Sequence, residues 1–169
     1  MTGPDRGAPS EEHLNVAAQV TIPLHDLLAL DFERPEHGSR TAEVSMPVAA
    51  NALGFTGALH GGAIATLVDL ACALAAARFS GFDPLKESLV TADMHVRYLG
   101  RPRTDEVIAR AEVVKAGAQL IVVECKVIGG TTDDGRDHLV AVADFSMMIV
   151  PLRLPMAPGT DSEPGDPEL

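Results

Sequence analysis

The 169-residue sequence has no tryptophan, one tyrosine and five phenylalanines, so it offers few aromatic surfaces on which a base could stack. It is short of basic residues as well: 13 Lys plus Arg stand against 24 Asp plus Glu, a formal net charge of −11. A field of that sign repels phosphate backbones and anionic lipid, which argues against nucleic acid and membrane as partners. Two cysteines, Cys72 and Cys125, are too few for a disulfide framework. They show no metal-ligand spacing with each other or with His13, His25, His37, His60, His95 and His138. No metal is expected, and both thiols read as reduced packing residues of a cytosolic protein. Residues 1–6 lack the apolar run of a signal peptide.

What the chain does have is aliphatic bulk: 46% of it is hydrophobic, and a chain of this length buries roughly two-thirds of its unfolded surface in one core. The densest stretch is residues 59–78. From Gly61 to Ala77 the only side chain ionised at neutral pH is Asp69. The run is short for a membrane span and has an acid at its centre, so it reads as a core helix. Being apolar all round, it is expected to be wrapped on every side by the rest of the protein. A carboxylate there must find a partner or a purpose, because an unpaired buried charge is costly. Asp69 is therefore the candidate catalytic group, with a hydrogen-bonded cap on a neighbouring loop as the structural alternative.

The remainder divides into three parts. Residues 1–20 form a polar segment expected to be flexible, with a short amphipathic helix at 13–20. Residues 21–151 form the folded domain, and 152–169 an acidic, proline-rich tail expected to be disordered. Within the domain, Pro23 begins a helical turn, and residues 30–33 and 41–48 alternate around a turn as a β-hairpin. Residues 49–58, with Asn51, Gly54 and Gly57, form a loop leading into the central helix. Four strands follow it, near 89–99, 106–114, 120–128 and 139–150. In the first of these, Ala92, Met94, Val96 and Tyr98 alternate against Asp93, His95 and Arg97. A hairpin turn is expected at 115–119. One long helix and mostly consecutive strands favour an α+β arrangement with an antiparallel sheet.

Leu59-His60-Gly61-Gly62, then Leu67-Val68-Asp69, then Thr91-Ala92-Asp93-Met94 resemble the hotdog-fold acyl-CoA thioesterases. The nearest branch is the phenylacetate-degradation type, which is similar to one class of 4-hydroxybenzoyl-CoA thioesterase. The resemblance spans about residues 32–150. It implies a hotdog fold, a long central helix wrapped by a curled antiparallel sheet of about five to six strands, and hydrolysis of aryl- or medium- to long-chain acyl-CoA. It assigns Gly61 as the backbone donor that polarises the thioester carbonyl and Asp69 as general base or nucleophile. His60 and Asn51 would position thioester or water, and Thr91 would support the acid. It further implies a homodimer, assembled as a dimer of dimers, whose sites draw the glycine and the acid from different subunits. CoA enters as part of the substrate, and no separate cofactor is expected.

The residues supply an independent argument for the shared site. First-turn N–H groups and the positive end of the helix dipole suit Gly61-Gly62 to a developing oxyanion, although the pair could equally serve a tight turn. Asp69 lies eight residues on, a rise of roughly 12 Å, so one thioester cannot easily touch both in one chain. Cys72, three residues beyond Asp69, could be a nucleophile only across subunits and is better read as packing. For CoA phosphates the candidates are Gly62, Arg101, Arg103 and Lys115, with Arg97 beside them; a solvated strand end is the alternative. Many members of the family carry Arg or Lys where this chain has Ala118. The competing function is a non-catalytic module that binds an acyl-CoA or other acyl ligand. A hotdog hydratase would need an Asp and His pair in one loop, and no such pair occurs.

Overall fold

The computed structural model describes residues 22–33 and 36–152. The expected flexible segment 1–20, its helix at 13–20 and the tail from 153 onward lie outside the described residues. Helix α1 (Pro23–Leu27) has proline in its first turn, where a missing N–H costs nothing. Strand β1 (Asp31–Phe32) pairs antiparallel with β2 (Thr41–Pro47), so the hairpin forms, although one arm is two residues long. A 3-10 turn at Ala50–Ala52 precedes α2 (Gly61–Ser80), and α2 stops where Gly81 turns to a left-handed φ of 60°. β3 (Glu87–Tyr98), β4 (Glu106–Ala116), β5 (Leu120–Thr131) and β6 (Asp137–Pro151) complete the domain.

The strands form one six-stranded sheet in the order β1-β2-β4-β5-β6-β3, with every pairing antiparallel. β4, β5 and β6 follow one another as their short turns predict. β3 does not pair with its sequence neighbour β4; it crosses to the far edge and, among the described residues, pairs only with β6. The sheet curls around α2, and its inner face supplies Val44, Met46, Val107, Val113, Ile121, Val123, Val127 and Phe145 to the core.

Against that face α2 buries Ala63, Ile64, Leu67, Val68, Ala71, Cys72, Ala75 and Ala76. Half of these are alanines, which let the helix axis approach the sheet closely. The helix packs chiefly on β4, β5 and β2 and more lightly on β3 and β6. The expectation of a helix wrapped on every side is therefore corrected: Ala65, Thr66, Asp69, Leu70, Ala73 and Leu74 are only half-buried in the single chain. By length and composition α2 could cross a membrane, but its buried stripe lies on the sheet.

A second correction concerns β3. Its register against β6 shifts between Thr91 and Asp93, a bulge at Ala92. Strict alternation would set Thr91 with Asp93, His95 and Arg97 on the outer face. The bulge instead returns Thr91 to the inner face, opposite the buried Met147, and leaves Ala92 exposed.

The loop after β3 is seated on Gly129 of β5. A Cβ there would stand 2.7 Å from both Pro102 Cβ and Val140 Cγ2, closer than real side chains pack. Gly129→Ala is expected to cost about 1–3 kcal/mol through overpacking, read as a lowered midpoint in denaturant unfolding; an unchanged midpoint would contradict this seating.

Candidate active site

The site follows from where α2 begins and which side of it stays open. The arch that delivers the chain is pinned at its base by a bridge between Leu53 and Leu59 and by His60 N–H donating to Ala52 O at 2.8 Å. At its tip, Gly54 N–H donates to Ala58 O at 2.8 Å and Gly57 N–H to Gly54 O at 3.0 Å, holding Phe55 fully in solvent. His60 is the N-cap of α2. Its backbone is extended, and its ring Nδ1 accepts from Gly62 N–H at 2.9 Å. The second glycine of the pair makes this possible. A Cβ on Gly62 would come within 3.0 Å of His60 Nδ1, whereas one on Gly54 would meet the ring at an ordinary 3.5 Å. With Gly62 N–H taken by the cap, Gly61 N–H remains among the first-turn donors that a helix cannot satisfy internally.

Two turns along, Asp69 lies on the open side of α2. Thr91 O–H donates to its Oδ1 at 2.8 Å, so the bulge in β3 brings together the two residues that the sequence paired. The same side of α2 meets β3 again at its start, where Tyr98 O–H donates to Gly61 O at 3.1 Å. Gly61 and Asp69 thus both lie on the side of α2 that meets β3, separated along the helix by roughly 12 Å. Three residues from Asp69, Cys72 is fully buried. Its hydrogen bond with Cys125 and its burial, helped by the charge of Asp69, push its thiol pKa far up. It stays a neutral thiol and is no nucleophile.

Other predicted residues fall elsewhere. Asn51 is exposed on the 3-10 turn, and its side-chain amide donates to Leu27 O, tying the loop to the end of α1 rather than meeting Asp69. Arg101 and Arg103 follow directly beyond Tyr98, at the end of the sheet where α2 begins. The Arg101 carbonyl accepts from His138 Nε2 at 2.8 Å, Arg103 N–H donates to Gly129 O at 2.8 Å, and the Arg103 guanidinium lies 3.9 Å from Asp133. Arg97 is on the outer face, paired with Asp144 at 3.1 Å. Lys115 sits at the opposite end of the sheet, on the rim of a groove of about 930 Å³ with Lys86, Leu120 and Val122. Among the described residues no cluster of three His, Cys, Asp or Glu side chains could hold a metal ion.

Tyr98 is the site residue that sequence reasoning missed. It reads there as one more member of an alternating strand; the available signal was that the chain's only tyrosine ends the strand carrying Thr91. The cap makes one stability prediction: His60→Ala should cost about 1 kcal/mol, as loss of a helix cap does, seen as a lower unfolding midpoint.

The fold has known counterparts. Residues 56–135, from the arch through the whole of β5 and into the turn before β6, match the family model described as the thioesterase superfamily. A Halobacterium salinarum protein named as a putative esterase is 37% identical over 94 residues, 55% of this chain and 61% of that protein's length. Among solved structures, a mutant of the thioesterase PA1618 from Pseudomonas aeruginosa superposes with a TM-score of 0.68 at 27% identity. That match covers 87% of this chain and 98% of the other. The conserved protein PA5202 of the same organism superposes at 0.65 with 30% identity over 84% of this chain and all of the other. With its single long helix held in a curled antiparallel six-stranded sheet, the chain has the hotdog fold, and over residues 56–135 it carries the sequence pattern of the thioesterase superfamily.

Proposed function

We propose that the protein hydrolyses acyl-CoA thioesters, as the branch resembling the phenylacetate-degradation type does, and that its working unit is a dimer. The observation that carries this reading is the Asp69–Thr91 pair, 2.8 Å apart on the open side of the same helix whose first N–H belongs to Gly61. The thioester carbonyl oxygen accepts from Gly61 N–H, which is worth most once that oxygen carries charge. Asp69 takes a proton from water as the water oxygen bonds to the carbonyl carbon, or attacks that carbon itself. The tetrahedral intermediate then collapses, the carbon–sulfur bond breaks, and CoA leaves as a thiolate that is reprotonated; where Asp69 itself attacks, the acyl group is left on it as an anhydride, which water then cleaves to free acid and the Asp69 carboxylate. Arg101 and Arg103, beyond Tyr98, are available to the CoA phosphates.

The dimer follows from two features. Gly61 and Asp69 stand too far apart along one helix for a single carbonyl to touch both. The strand beside them, β3, is twelve residues long and, among the described residues, pairs on one edge only. An open edge of that length is a template for a second strand. Antiparallel pairing of β3 with β3 of a second copy would run the two α2 helices in opposite directions and bring Gly61 of one toward Asp69 of the other. Each site then takes its donor and its acid from different chains.

Two variants test this by free-thiol release from a panel of aryl- and fatty-acyl-CoA esters. Asp69→Asn should lower kcat at least about 10²-fold. Gly61→Pro should do the same, since deleting one oxyanion donor costs about 10²–10³-fold. Proline suits this first helical position, because His60 before it is already extended with ψ 132° and an added Cβ would meet Tyr98 at an ordinary 3.5 Å. Refolded as a mixture, the two dead variants should recover roughly a quarter of wild-type activity, because half the dimers are mixed and each mixed dimer holds one intact site. Wild type inert to every ester would sink the hydrolase reading; no recovery on mixing, or a fully active monomer by sizing, would sink the shared site.

A further inference from the structure

Tyr98 is the chain's one tyrosine, and it lies against the start of α2. Its O–H donates to Gly61 O at 3.1 Å, and its ring sits over Gly61 closely enough that an added Cβ would be 3.5 Å away. The Gly61 carbonyl and the Gly62 N–H belong to one peptide unit. That unit is held at its other end by His60, whose Nδ1 accepts from Gly62 N–H at 2.9 Å. A peptide is planar, so gripping its oxygen and its hydrogen fixes its plane, and with it the first turn that presents Gly61 N–H.

The same chain of hydrogen bonds decides the state of His60. A backbone N–H can only donate, so Nδ1 must offer its lone pair, and the neutral ring carries its proton on Nε2. The ring is exposed, with its Cδ2 edge resting against Gly54 and its Nδ1 edge against Gly62, so the nitrogen left to meet other molecules is a donor. Hydrogen bonds in series polarise one another, so the Tyr98 O–H strengthens the grip of Gly62 N–H on Nδ1.

We infer that Tyr98 is a positioning residue that, through the Gly61–Gly62 peptide, holds Gly61 N–H in place and locks His60 as an Nε2–H donor to the bound thioester. This rests on the thioesterase reading. It divides the work further: with Nδ1 occupied and Nε2 protonated, His60 cannot accept the proton of the attacking water, and that task falls to Asp69. His60 instead contributes a second neutral donor beside Gly61, toward the carbonyl oxygen or the departing sulfur. No step passes through Tyr98 itself, whose hydroxyl is turned to the backbone.

The test combines a spectrum with kinetics. In wild-type protein labelled with 15N at histidine, the two-bond imidazole correlation spectrum at mildly alkaline pH should show His60 as the pure Nε2–H tautomer; a His60 pattern with the proton on Nδ1 overturns the inference outright. Tyr98→Phe keeps the ring over Gly61 and removes only the O–H. It should lower kcat about fivefold, the worth of one neutral hydrogen bond, leave KM within about twofold, and shift the His60 pattern toward a mixture of tautomers. A variant with wild-type kcat and an unaltered His60 spectrum overturns the positioning role, as does one whose loss lies wholly in KM. The tautomer measurement needs neither turnover nor a variant. If the wild type hydrolyses no thioester, the proposed function fails while the histidine lock is still judged by its own spectrum.

Discussion

The placement of α2 on the sheet governs everything else in this molecule. Its buried stripe is half alanine, and the larger side chains on it, Ile64, Leu67 and Val68, meet valines and isoleucines of the inner face. Close packing of that stripe seats the helix over β2, β4 and β5 and leaves the inner face of β3 only partly covered. A helix centred over all six strands would bury Asp69 with no route for substrate or water. Seated to one side, it leaves Asp69 half-buried and its own first turn beside β3. The closed side is chemically quiet: Cys72 and Cys125, packed together beneath the helix, hold the Cys72 thiol neutral.

Local information in the sequence carried much of this. The apolar run and Gly81 mark α2, and the β-branched runs around the turn at 115–119 mark β4 and β5, because these depend on neighbours a few residues away. The motif His60-Gly61-Gly62 with Asp69 was legible for the same reason: donor, cap and acid share one helix. Three features were not legible, and each is a long-range fact. That β3 crosses to pair with β6 depends on which edges remain after the β4–β5–β6 meander closes. Whether the helix is wrapped or half-open depends on its seat, since a run apolar on all sides looks the same in both cases. The face Thr91 occupies depends on a one-residue bulge, and inserting one residue into a strand reverses every side chain beyond it. A reading by strict alternation therefore takes Ala92 as inward and Thr91 as outward, the reverse of what is found.

Asn51 shows the same limit from the other side. Its place in a glycine-bearing loop ahead of the helix motif is what a site residue would have, yet its amide is spent on Leu27 O, where it joins α1 to the arch. A polar loop residue is as useful for satisfying a stray carbonyl as for holding a ligand, and spacing alone does not separate the two. Lys115 is similar: its charge is right for a phosphate, but the strand that carries it runs away from Arg101 and Arg103 and leaves it at the other end of the sheet.

The long apolar helix therefore carries a different meaning in three dimensions. A rigid rod that bears a donor at one end and a carboxylate two turns along cannot serve one carbonyl with both, whatever its surroundings. Two such rods running in opposite directions can, and the sheet offers a matching asymmetry. One of its edges is the two-residue β1, too short to template anything; the other is the twelve-residue β3, which carries Thr91 and Tyr98 on the face beside α2. In the proposed pairing that long edge would be covered by the contact that completes the site, so the feature most hazardous to a lone chain in solution is the one its chemistry requires.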